Sequence, residues 1–331
     1  MANRCAKSDL GSAIVVGVKL PASMPTPISL LVALPSALLS TTTRRSLLCA
    51  AATVPLAAHA ETDPLRRCCL VAGSTGRTGR FVVEALRVQS AIDVIAGVRD
   101  SSRIKFASSV PTLQFDVTTD DPGFTSMLSE QMISRGVTDV ICTLGFSPTF
   151  IPETDRRLAE QVDYLGTLKL IAAAEAAKIR GRFVLVSSLG VNSTSDSAKL
   201  LNSSLGGVLL QKSRAEATLR SSRTLDWCIV RPGLLLKEVT QGGVLLGPED
   251  RFTGDAAKDS DGLGAPVKCP SPFLASSGAV CAATRAQVAD VCVAALTGEP
   301  TLYSRRVVEV VSRPDVPTDG GGVFRTVESY R

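Results

Sequence analysis

The sequence predicts an α/β fold: a doubly wound parallel sheet with a small C-terminal substrate lobe. Three observations carry this expectation. From Arg67 onward, short β-branched apolar runs alternate with longer helical segments. The runs are apolar throughout, the pattern of strands covered on both faces. The first of them, Cys68 to Ala72, leads straight into Gly73, Gly76 and Gly79 at G-x-x-G-x-x-G spacing, and then into a helix.

The elements follow in order. A helix runs from about Arg77 to Gln89, a second strand from Asp93 to Arg99, and a third from Thr112 to Asp116. Pro122 suits the first turn of a helix ending near Arg135. Asp139 to Leu144 is the fourth strand. A long Ala-rich helix spans about Glu153 to Lys178, with Leu158, Val162, Leu165, Leu168 and Ala172 marking one apolar face. Arg182 to Ser188 is the fifth strand, Val208 to Ser222 a helix, and Trp227 to Arg231 the sixth strand. A Gly- and Pro-rich stretch from Pro232 to Gly278 supplies the substrate lobe, residues 232–280. Ala286 to Leu296 is a helix and Arg305 to Val311 a last strand, so the nucleotide-binding domain covers 67–312. The tail from 313 to 331 is expected to be flexible.

Composition bounds the function. The 331 residues are 45% apolar and 20% charged, which suits a folded chain of one large or two small domains. The formal net charge of +5 belongs mostly to the first sixty residues, which hold Arg4, Lys7, Lys19, Arg44 and Arg45 against Asp9 alone. This leaves 31 of the 36 basic and 30 of the 31 acidic residues for the remainder, a balance that excludes an electrostatic case for nucleic acid. Residues 1–60 are rich in Ser, Thr, Ala, Leu and Pro and read as a targeting presequence. Near its end Arg44-Arg45, an apolar run and Ala58-His59-Ala60 stand in the order of a twin-arginine export signal. About forty residues precede that signal, the arrangement of a bipartite plastid presequence. The expected location is a chloroplast, in the thylakoid lumen or the stroma, with a mitochondrion as the alternative. No apolar stretch reaches the ~18 residues of a membrane span, so only peripheral thylakoid contact is expected.

The only histidine, His59, lies in that segment, so neither a two-His metal site nor a Ser-His-Asp triad is available to the mature chain. There is no CxxC pair, and no metal site is expected. Cys269 and Cys281 fall in the Gly/Pro-rich stretch, where a disulfide or two independent thiols are both open; the second is favoured.

Gly73, Ser74, Thr75, Gly76, Arg77, Thr78 and Gly79 form a loop at which backbone amides and a helix N-terminus meet a pyrophosphate. The end of the second strand selects the dinucleotide. Arg99 there pairs with a ribose 2′-phosphate and reads as NADP(H), whereas Asp100, one residue on, is what would favour NAD. Asp116 and Val117 close the third strand, where a carboxylate accepts from the adenine amino group, and Leu144 and Gly145 end the fourth at the same sheet edge.

These stretches, with Val162 to Thr167, Phe183 to Leu189, Val208 to Ala217 and Ile229 to Gly233, resemble the atypical short-chain dehydrogenase/reductase superfamily over about residues 67–312. The likeness is to its NmrA-like and plastid translocon-associated NADP-binding branch. The resemblance implies a Rossmann fold and places Ser187, Lys212, Arg231 and Pro232 at the cofactor, with Lys212 and Ser187 as catalytic candidates. It also exposes a departure. The superfamily's Tyr-x-x-x-Lys pair is broken, because Val208 stands four residues before Lys212. Two classes of function remain: an NADPH-dependent oxidoreductase on a small molecule, or a non-catalytic NADP(H)-binding sensor or scaffold with a protein partner. Nucleotide-sugar epimerisation is disfavoured, since it also uses the missing Tyr.

Overall fold

The structure is a computed structural model, and it describes residues 66–104, 106, 109–193, 196–236, 243–252, 282–313 and 324–326. The presequence, Cys269, Cys281 and most of the substrate lobe lie outside the described residues.

Nine strands form one sheet, in the order β11-β8-β10-β6-β5-β4-β1-β2-β3. They are β1 (Arg67–Ala72), β2 (Ile92–Val98), β3 (Thr112–Gln114), β4 (Asp139–Cys142), β5 (Arg182–Val186), β6 (Asp226–Pro232), β8 (Gly243–Gly247), β10 (Arg306–Arg313) and β11 (Phe324–Thr326). The first six and β10 are parallel, as the unbroken apolar runs require. β8 runs antiparallel to β10. A separate parallel pair joins β7 (Leu234–Leu236) to β9 (Ala282–Thr284). The segment expected to be a flexible tail thus contributes β11, paired with β8.

Side chains alternate across β1 and divide the core in two. Cys69 and Val71 join the cluster under α1 (Gly79–Arg87) and α7 (Arg285–Thr297). Leu70 and Ala72 join the cluster under α2 (Phe124–Ser134), α4 (Thr167–Ala176) and α6 (Val208–Ser221). α7 starts with a capping box in which the Thr284 side chain accepts from the Gln287 N–H and Gln287 answers. Its last carbonyls receive the guanidinium groups of Arg67 and Arg182, which also reach the buried Asp139 and the half-buried Asp226 respectively.

The long Ala-rich helix differs from expectation. It consists of α3 (Pro152–Leu158), a π-helical stretch (Ala159–Gly166) and α4. The buried stripe is Ala159, Asp163, Gly166, Thr167, Leu170, Ile171 and Ala174, one position on from the apolar face read in the sequence. Two members of the expected face, Leu158 and Val162, turn instead to the ligand cleft. α5 (Asp196–Ser204), polar and short, was not anticipated; α8 (Pro300–Tyr303) precedes β10.

Candidate functional site

The sheet reverses its winding between β1 and β4, and a cleft of about 340 Å³ opens there at the carboxyl ends of the strands. Gly73, Thr75 and Gly76 form its floor, Arg99, Asp100, Arg103, Asp116, Val117 and Thr118 one end, and Leu144, Gly145, Phe146 and Ser147 the other.

The glycine loop is held by close backbone approach. Gly73 has φ +79°, and a Cβ on Gly79 would stand 2.2 Å from the Gly73 carbonyl oxygen. Thr143 Oγ1 donates to the Ala72 carbonyl at 2.8 Å and locks β4 to the loop. Ser74, expected at the cofactor, is instead buried: its Oγ donates to the Gly97 carbonyl at 2.8 Å and ties the loop to β2. Arg77, Thr78 and Gly79 continue into the start of α1, outside the cleft lining.

At the other strand ends, charge is distributed in a telling way. Asp100 accepts from the Ser102 N–H at 2.9 Å and the Ser102 hydroxyl at 2.7 Å, capping a single 3₁₀ turn (Ser101–Arg103). Those hydrogen bonds hold its carboxyl below the ordinary range. The turn carries Arg103 back to the cleft beside Arg99, and neither arginine has an ion-pair partner among the described residues. Asp116 Oδ1 accepts from Thr118 N and Oγ1 at 2.9 and 2.8 Å, leaving its second oxygen for a ligand.

At the opposite end four residues expected at the cofactor lie outside the cleft lining. Ser187 Oγ donates to Glu216 Oε1 at 2.5 Å and is buried, away from the cleft lining. Arg231 is 1% exposed and enclosed by Glu216, Glu249 and Asp250, with Nη2 2.6 Å from Glu216 Oε2. A guanidinium so surrounded belongs to the fold, not to a phosphate. Pro232 is a buried strand end whose carbonyl accepts from Leu189 N–H. Lys212 lies behind the cleft rather than in its lining, its Nζ 2.9 Å from Asp163 Oδ1. Asp163 Oδ2 accepts from the Phe146 N–H at 3.0 Å, so one buried carboxylate holds both Lys212 and the loop after β4. The sequence offered Asp163 only as part of a motif and Phe146 only as the residue after Leu144 and Gly145 at the end of the fourth strand; Arg103, Thr118, Thr143 and Ser147 carried no signal.

The site fits a dinucleotide: glycines that admit no Cβ where a pyrophosphate must approach, a helix N-terminus, and a free carboxylate oxygen at the third strand. A family model described as NAD(P)H-binding matches residues 73–261. The chain belongs to the NAD(P)H-binding family. It is 31% identical to an uncharacterized chloroplastic protein of Arabidopsis thaliana, over 75% of this chain and 77% of that one. It is 34% identical to the chloroplastic protein TIC 62 of Oryza sativa subsp. japonica over 49% of this chain, and this match spans only 34% of TIC 62. Among solved structures, the putative NAD-dependent epimerase/dehydratase from Bacillus halodurans superposes with a TM-score of 0.54 at 22% identity, covering 76% of this chain and 96% of that one. At that identity the likeness establishes the Rossmann arrangement alone. Within the family frame, no described helix is long and apolar enough to cross a membrane, and no described cluster of three metal-ligating side chains exists.

Proposed function

We propose that the chain binds NADP(H) and works as an NADPH-dependent oxidoreductase on a small molecule in a plastid. One observation carries the choice of NADP(H): Asp100 is occupied in capping the 3₁₀ turn, and Arg99 before that turn and Arg103 at its end line the same end of the cleft with no ion-pair partner among the described residues. Two neighbouring guanidinium groups suit a 2′-phosphate, and a carboxylate already engaged is a poor partner for a ribose hydroxyl. Gly73, Thr75, Gly76, Asp116, Val117, Leu144 and Gly145 hold the rest of the nucleotide. The chloroplastic relatives and the presequence composition support the plastid.

A second reading keeps the cofactor and drops turnover: a redox sensor or scaffold that docks a protein. Val208 in place of the proton-donating Tyr, and Ser187 turned to Glu216, favour it. The test of the cofactor assignment is the binding of NADPH and NADH to the wild type and to Arg99→Ala/Arg103→Ala. Loss of charge-assisted hydrogen bonds worth about 1.5–3 kcal/mol weakens NADPH binding roughly 10- to 100-fold and leaves NADH unchanged. A double variant that keeps its NADPH preference refutes the assignment.

A further inference from the structure

We propose that Arg77, Arg80 and Arg285 form a seat for a phosphate-class oxyanion where α1 and α7 begin, beside the phosphate loop and separate from the Arg99 and Arg103 end of the cleft. None of the three arginines lines that cleft. The seat goes beyond the NADP(H) reading and stands whether or not Arg99 and Arg103 select the cofactor.

The fold brings these arginines to one place. α1 links the parallel strands β1 and β2, so it starts at their carboxyl ends. α7 finishes against Arg67 and Arg182, the first residues of β1 and β5, so it too starts at the carboxyl edge of the sheet. The two helices pack side by side, with Val82, Val83 and Leu86 of α1 and Val288, Ala289 and Cys292 of α7 in one core cluster. Their first turns are therefore neighbours. Arg80 is the second residue of α1, Arg77 stands two residues before that helix, and Arg285 is the first residue of α7.

Arg285 is the residue that points to a ligand. Its Nη1 donates to the Leu236 carbonyl at 2.9 Å, while its Nε is buried with no hydrogen-bond partner. A buried donor left unpaired is costly. What remains is the Nε–Nη2 edge of the guanidinium, a fork that grips two oxygens in parallel. Burial, and then the charges of Arg77 and Arg80, hold Arg285 below the ordinary arginine range, and no carboxylate stands against them. Arg77 and Arg80 are exposed, and neither has an ion-pair partner among the described residues; Arg80 rests over the Phe81 ring, 4.9 Å from its centre. Three like charges at the positive ends of two helices repel one another, and one oxyanion set among them turns each repulsion into an attraction. A doubly charged phosphate answers three cations better than a singly charged carboxylate. The phosphate can come from the dinucleotide's own pyrophosphate or from a separate phosphoester; the chemistry of the seat is the same.

The experiment is calorimetric titration of the full chain with inorganic phosphate at fixed ionic strength, in an Arg99→Ala/Arg103→Ala background that removes the other pair of cations. Arg80→Gln and Arg285→Gln are added singly, and Arg87→Gln, which removes the same charge at the far end of α1, is the control. The expected result is saturable phosphate binding that weakens roughly threefold or more in Arg80→Gln and about 10-fold or more in Arg285→Gln, and changes less than about twofold in Arg87→Gln. Arg80 is exposed, so its variant reads the seat even if Arg285→Gln, which loses the Leu236 contact, fails to fold. Saturating NADH then separates the two sources. Displacement of phosphate by NADH assigns the seat to the dinucleotide's pyrophosphate, and phosphate that still binds the NADH-loaded protein, with the same dependence on Arg80, assigns it to a separate phosphoester. Absence of saturable phosphate binding overturns the proposal, as does binding that falls no further in Arg80→Gln than in Arg87→Gln.

Discussion

Glu309 offers the sharpest test of how the sheet is held together. It sits in the middle of β10 with its side chain fully buried, and it accepts from the Asp250 N–H at 3.0 Å and the Phe252 N–H at 2.8 Å. Arg231 is its nearest cation, 3.9 Å away and already shared with Glu216, Glu249 and Asp250. Four carboxylates thus surround Arg231, with Arg220 the second cation, bonded to Glu249. Burial pushes the Glu309 carboxyl up from 4.5 to about 7, against the pull of its N–H donors and Arg231. A carboxyl that titrates higher in the fold than in the open chain binds its proton more tightly when folded. The stability this confers is complete below 4.5 and is lost as pH rises through about 7. Between about pH 5 and pH 8 the loss amounts to about 2.5 kcal/mol. Urea unfolding of wild type and Glu309→Gln across that range reads it out. The amide cannot accept from both backbone N–H groups, so the variant starts about 1 kcal/mol down at acid pH, yet it lacks the titration. The wild-type advantage should therefore shrink and reverse as pH rises. A difference between the two proteins that varies by less than about 0.5 kcal/mol over the range refutes the reasoning.

Two further outcomes follow from packing and buried charge. Gly79→Ala drives a methyl group to 2.2 Å from the Gly73 carbonyl, so it should open the phosphate loop, cost about 1–3 kcal/mol in thermal unfolding and abolish dinucleotide binding. Asp139→Asn removes the charge that faces Arg67 and accepts from the Arg182 N–H and Thr138 Oγ1 at the amino edge of the sheet; urea unfolding should show a loss of about 3–5 kcal/mol with dinucleotide affinity unchanged in the protein that remains folded.

The legible part of this protein is the part encoded locally. Cys68 to Ala72, followed by Gly73, Gly76 and Gly79, states strand, turn and helix within a dozen residues, and the structure forms them with the cleft above. Arg99, Asp116, Leu144 and Gly145 line one cleft because a parallel strand delivers its last residue to the same edge every time. The long helix was harder. Its sequence has an acceptable apolar face at 158, 162 and 165, but the helix is π-helical over Ala159–Gly166 and the buried stripe lies one residue on, with Gly166 set where a Cβ would stand 2.7 Å from Val117. Periodicity cannot reveal such a rotation, because both stripes are apolar enough to read as a core.

The same contrast runs through the site. Its adenosine half is made by backbone: glycine contacts, strand ends and a capped 3₁₀ turn. The region beyond its other end is held by side-chain pairs between residues far apart in sequence: Asp163 with Lys212, Ser187 with Glu216, Arg231 with Glu249 and Asp250. A charged or hydroxylated residue near a strand end reads equally as a ligand for cofactor or as a partner for another side chain, and only the fold distinguishes them. Arg231 shows why: a guanidinium in an apolar strand demands acceptors, and Glu216 of α6 with Glu249 and Asp250 after β8 supply carboxylates where the resemblance placed the cofactor. Because the two halves rest on different supports, side chains in the second can change without disturbing the first. A family whose members all retain the dinucleotide cradle can therefore differ in chemistry at the nicotinamide end, and the family name alone fixes the cofactor's seat but not the acceptor. In this chain Lys212 is paired with the buried Asp163 and Ser187 with Glu216, so side chains that the resemblance placed at the cofactor serve the fold's own charge pairs, and the cradle can be kept while that end diverges.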